Sequence, residues 1–109
     1  MNQEIEKIAL NMIVNAGESR SMVYEAIQLA SEGKIEEANK EIQESYKTCN
    51  AAHQLQMELL KLDARGENPG QSVLIVHAQD ILMAVCTERD LGRYIIEIFS
   101  RLHKLEKGK

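Results

Sequence analysis

Apolar residues spaced three and four apart run along nearly all of these 109 residues and are broken at only two places, and this restricts the possible folds more than any other feature. From Glu4 to about Glu32 they fall at Ile5, Ile8, Ala9, Met12, Ala16, Val23, Ala26, Ile27 and Ala30, one stripe down a helix spanning about 4–32. Gly33 is the expected C-cap, because glycine reaches positive φ without a Cβ clash. A second stripe, Ile35, Ala38, Ile42, Tyr46, Cys49, Ala52, Leu55, Leu59 and Leu62, predicts a helix over about 35–65. Gly66, Asn68, Pro69 and Gly70 follow as the strongest breaker in the chain. A third segment, about 72–105, carries Val73, Leu74, Ile75, Val76, Ile81, Leu82, Val85, Leu91, Ile95, Ile98, Phe99 and Leu102. Its opening run of four could also be a buried strand, but no second strand pattern exists to pair with it. The spacing therefore predicts a helix whose start is buried from more than one direction, within the chain or between subunits.

Three helices of about thirty residues, each roughly 45 Å long and joined by short loops, predict an all-α antiparallel three-helix bundle forming one domain over residues 1–109. A domain of this size has a thin core that self-association would thicken. With 17 acidic and 13 basic residues the net charge is −4, which provides no long-range attraction for nucleic acid or anionic lipid. The basic residues Arg101, Lys104, Lys107 and Lys109 sit where they oppose the negative end of a helix dipole. The N-terminal residues fit neither a signal peptide nor a membrane span, so a cytoplasmic protein without membrane insertion is expected. In that compartment Cys49 and Cys86, which lack C-x-x-C spacing, are read as structural thiols.

Three histidines are present, and each is weighed separately as a candidate for chemistry. His103, among basic residues near the end of the third helix, reads as solvated or dipole-capping. His53, beside the stripe of the second helix, reads as a hydrogen-bonded packing residue. His77 differs, because it follows Val73-Leu74-Ile75-Val76 and opens a polar interruption with Gln79 and Asp80 in the most apolar stretch of the chain. His77 and Asp80 are three apart and share a helix face. The bland reading is a His and an Asp hydrogen-bonded inside a bundle. The functional reading is that a neutral imidazole has a nitrogen lone pair that can attack phosphorus, and phosphoryl transfer asks the protein mainly for positioning and charge stabilisation. Asp80, in so apolar a neighbourhood, carries a desolvation cost unless paired, and a cation held by symmetry-related copies would pair it.

The segment Ser72-Val73-Leu74-Ile75-Val76-His77-Ala78-Gln79-Asp80, followed by Leu82-Met83, resembles the active-site segment of the lactose/cellobiose-type IIA component of the bacterial sugar phosphotransferase system. Asn15-Ala16-Gly17 with Arg20-Ser21 resembles the family's first helix, and Ala52-His53 with Gln56 its second. The resemblance implies a nine-helix homotrimer, a phosphohistidine at His77, and one Mg²⁺ per trimer held on the threefold axis by Asp80 from each subunit, with Gln79, His53 and Gln56 in supporting positions. It also implies that the phosphoryl group arrives from the phosphocarrier HPr and leaves for a cysteine of a IIB partner. The sugar, typically a disaccharide, is then phosphorylated during uptake through the IIC permease. Two departures stand out: Ile81 replaces the family's usual second histidine, removing a polar neighbour of the site, and Ser19 stands where alanine is common.

The alternative is a helical interaction module that keeps the bundle without phosphotransfer, for which Ile81 is the motive. A carboxylate-bridged dimetal site needs Glu-x-x-His pairs, and Asn50, Leu74 and Ser100 stand three before the histidines, so that reading fails.

Overall fold

The computed structural model describes residues 3–67 and 72–108, so Asn68, Pro69 and Gly70 of the second breaker, and Lys109, lie outside the described residues. Three helices make up the fold: α1 (Gln3–Ser31), α2 (Ile35–Ala64) and α3 (Val73–Lys107). Among the described residues there is no strand, so the apolar run at 73–76 is helical. The bundle is an elongated rod of 63 × 19 × 18 Å, and α1 packs against both other helices more extensively than they pack on each other.

Each boundary has a local cause. At the α1 end, Gly33 takes φ 84°, the Gly33 amide donates to the Ala30 carbonyl and the Lys34 amide to the Leu29 carbonyl, a Schellman closure of the kind the glycine predicts. Gly66 repeats the device at φ 78°, with Glu67 donating to the Leu62 carbonyl. Ser72 caps α3, its Oγ accepting from the Ile75 amide at 3.1 Å. His103 does not cap its own helix. Its Nε2 lies 3.2 Å from the Ala30 carbonyl at the end of α1, and because a carbonyl only accepts, Nε2 carries the proton.

Two core clusters run along the rod. One joins Ile5, Ile8, Ala9, Met12, Cys49, Ala52, Leu59, Ile75, Ala78 and Leu82; the other joins Ala26, Ala30, Ala38, Ile42 and Ile96. Alanines allow the helices a close approach, and two buried serines sit among them. Ser19 Oγ donates to the Ser45 carbonyl at 2.8 Å and Ser45 Oγ to the Ile42 carbonyl, so the serine at position 19 links α1 to α2 with its hydroxyl satisfied. On the surface, Arg20 and Tyr24 of α1 both donate to the Glu88 carboxylate of α3, at 2.8 and 2.7 Å. Burial pushes that carboxyl up, but these two donors outweigh it and hold Glu88 below the usual range.

All three helices come close together at Gly92. A Cβ there would lie 3.0 Å from Val23 Cγ1 and 3.3 Å from Ile42 Cδ1. A leucine at this point must displace neighbours on both other helices, which outweighs the helix propensity it gains over glycine. Gly92→Leu is expected to cost about 1–3 kcal/mol, read as a lowered urea midpoint with unchanged slope.

The α3 helix has two apolar faces. Ile75, Ala78, Leu82, Val85 and Ile96 point into the bundle. Val73, Val76, Met83, Leu91, Tyr94, Ile98, Leu102 and Leu105 form a second, exposed line along its outer side, from 88% exposed at Val73 to 44% at Leu102. The start of α3 is therefore not enclosed within the chain. The outer line recurs at about 3.6 residues, the period of a single helical face, and Asp80 lies on it, also exposed.

Candidate functional site

Ile75, Ala78 and Leu82 recur at three- and four-residue steps and are held in the first core cluster. Those three pegs set the rotation of α3. Of the residues between them, Val76, His77 and Asp80 face outward and are exposed, while Gln79 and Ile81 are half-buried. With Ser72 and Val73 they line one shallow depression at the start of the helix. Among the described residues, neither His77 nor Asp80 takes part in a hydrogen bond or ion pair, so the His–Asp pair sealed inside a bundle is not what the chain forms.

His77 is five residues beyond the Ser72 cap, so the amide end of the α3 dipole lies about 7 Å away along the axis. That end carries partial positive charge and favours an anion placed there. The depression thus combines an imidazole open to a visiting macromolecule, a hydroxyl-bearing cap and a favourable dipole. These are the requirements of a group-transfer site that works by docking.

The other singled-out residues sit further in or further along. Gln79 is half-buried on α3. The antiparallel register that brings Cys49 to Cys86 sets Gln56 of α2 level with Gln79, and the Gln56 Oε1 is buried with no hydrogen-bond partner among the described residues. Ile81 is half-buried beside the core pegs, where an apolar side chain needs no partner.

His53 lies against Cys86, its Nε2 3.3 Å from Sγ. Cys86 is nine residues beyond His77 on α3, about 13 Å along the axis. Cys49 Sγ is 3.0 Å from Cys86 Sγ, so the two thiols meet across α2 and α3. Sequence spacing alone missed this triangle. One half of it was visible, since Cys49 and His53 are four apart on α2, but the third corner depends on the packing of α3. Burial pushes the Cys49 thiol up to about 12, with the neighbouring Cys86 thiol adding to the effect. Arg89, whose guanidinium stacks 4.2 Å over the Tyr46 ring, partly opposes it.

No helix among the described residues is long and apolar enough to cross a membrane. Residues 7–100 match the family model described as the lactose/cellobiose-specific IIA subunit of the PTS system. The chain is 39% identical to the lichenan-specific phosphotransferase enzyme IIA component of Bacillus subtilis, over 94% of this chain and 93% of that protein. It superposes on the crystal structure of the cellobiose-specific PTS enzyme IIA from Bacillus anthracis with a TM-score of 0.91 at 38% identity, covering 95% of each chain. It also matches the IIA(chitobiose) of Escherichia coli, solved in complex with HPr, with a TM-score of 0.81 at 31% identity, over 94% of this chain and 99% of that one.

Proposed function

Because the chain belongs to the lactose/cellobiose-specific IIA subunit family of the sugar phosphotransferase system, we propose that it is a cytoplasmic phosphocarrier that takes a phosphoryl group from HPr onto His77 and passes it to a cysteine of a IIB partner. The IIB partner then phosphorylates a disaccharide as the IIC permease takes it up. The observation that carries this reading is the outward setting of His77 at the head of α3, fixed by Ile75, Ala78 and Leu82.

The chemistry asks little of the fold. A ring nitrogen of His77 attacks the phosphorus as the bond to the donor's histidine breaks, and the donor imidazole leaves. In the second half a thiolate of the IIB partner attacks, and His77 leaves in turn. Two proteins must meet at each step, so an exposed ring on a rigid helix suits the task, and the start of α3 lowers the cost of the added negative charge.

Assembly as a homotrimer belongs to the same proposal. The outer apolar line of α3 extends from Val73 to Leu105, about 48 Å at about 1.5 Å per residue. Three such lines packed together would cover it, in the manner of a coiled-coil seam. Asp80 on that line supplies one carboxylate per chain, too few for a metal, while three copies supply a hard-oxygen set that fits Mg²⁺. The ion, when bound, would neutralise carboxylates that otherwise repel one another across the axis. Removing divalent ions with a chelator is therefore expected to weaken the assembly, read as a lower sedimentation mass at micromolar protein; a mass indifferent to chelator would remove the ion from the proposal.

The direct test is incubation with phosphorylated HPr. One acid-labile, base-stable phosphoryl group per chain is expected by intact mass, and it should disappear when a cognate IIB protein is added. A chain that binds HPr yet never gains that mass would leave only the interaction-module reading. Nothing at the site favours that reading, since Ile81 fills a half-buried position and leaves His77 open.

A further inference from the structure

Cys49 and Cys86 have no part in the phosphocarrier reading, which gives His53 only a supporting position, yet the three residues form a triangle. Its ligand atoms, two sulfurs and an imidazole nitrogen, all lie within 4.8 Å of one another. Cys49 and His53 are one helical turn apart on α2, a spacing that aims two side chains at one point, and Cys86 faces them from α3. In a tetrahedral zinc site, bonds of about 2.3 Å to sulfur and about 2.05 Å to nitrogen put sulfur and nitrogen about 3.6 Å apart and two sulfurs about 3.8 Å apart. The observed 3.3 Å from Cys86 Sγ to His53 Nε2 is already close. The 3.0 Å between the sulfurs must open by roughly 0.8 Å, within the reach of side-chain torsions.

We propose that Cys49, His53 and Cys86 form a three-ligand site for a zinc-class divalent ion, with a fourth position open to solvent. Softness of the donors selects zinc over magnesium, which separates this site from any hard-oxygen site at Asp80. Cys49 is fully buried, whereas His53 is exposed and Cys86 partly so; the ion enters from the His53 side and Cys49 closes the bottom. Binding replaces the two thiol protons, which leave to solvent, and the two thiolates balance the charge of the ion. Burial disfavours the free Cys49 thiolate, but a bound dication reverses that preference, and Arg89 nearby already acts in the same direction. The same burial makes a simple disulfide slow to form, because the attacking species is the scarce thiolate.

Cobalt(II) is the probe, added without oxygen to the reduced, metal-free full chain. One ion per chain should give a thiolate-to-cobalt charge-transfer band together with the visible bands of tetrahedral cobalt, and one equivalent of zinc should bleach both. Excess magnesium should leave them unchanged. Cys86→Ser and His53→Gln should each weaken cobalt binding by at least about tenfold; His53 is exposed, so its variant keeps the fold, checked by helical circular dichroism. Absence of the charge-transfer band, an equal band in Cys86→Ser, bleaching by magnesium, or loss of two hydrogens by intact mass in place of metal uptake would each overturn the site.

Discussion

Replacing His77 with alanine is expected to reduce phosphoryl acceptance from HPr by at least about a thousandfold, because the nucleophile itself is removed and no other imidazole lies near enough to substitute. His53 is anchored at Cys86, about 13 Å further along α3, and His103 is at the far end of the rod, bound to the Ala30 carbonyl. The variant should fold as the parent does, since His77 is exposed and makes no hydrogen bond among the described residues. A surface substitution away from packing features usually changes stability by no more than about 0.5 kcal/mol. Loss of phosphate with an unchanged melting curve is therefore the expected pair of results. Equal labelling of His77→Ala and the parent would place the phosphate elsewhere and end the proposal.

The second large effect concerns the outer line of α3. Leu91→Glu combined with Ile98→Glu is expected to convert the proposed homotrimer to a folded monomer. Leu91 and Ile98 are 57% and 63% exposed in the single chain, so charging them costs the isolated bundle little. In a trimer the same change buries six carboxylates at one seam. Each carries a desolvation cost of several kcal/mol with no cation to pair it, enough to weaken association by more than about a thousandfold. Sedimentation should show one-third of the parent mass, with helical content kept. A double variant that still sediments as a trimer would move the interface off this face.

Much of this architecture could be read before any coordinates, for reasons that differ by element. The helices were legible because spacing, glycine caps and the Ser72 cap are local signals. The position of His77 was legible because it interrupts an apolar run. What the spacing could not do was divide the apolar residues of α3 between two faces. Val73 and Ile75 look alike in sequence, yet one is 88% exposed and the other 5%, because the rotation of a helix is set by its neighbours. The crowded opening of α3 was expected to be buried on several sides, and within the chain it is not. Contacts between helices were equally hidden. In sequence His103 reads as solvated or dipole-capping, whereas its ring binds α1; Cys49 and Cys86 read as structural thiols without C-x-x-C spacing, and they touch; Ser19 has no sequence reading and is a buried link to α2.

The Ala30 oxygen has a consequence for how the ends of the rod hold together. It accepts the Gly33 amide, which closes the first hairpin, and the His103 ring, which comes from the last turns of α3. A local fold-back and a contact spanning 73 residues thus share one atom, using both of its lone pairs. The corner between α1 and α2 is latched by the last turns of α3, so fraying of that end of α3 would loosen a turn formed far earlier in the sequence, at the end of the bundle farthest from His77.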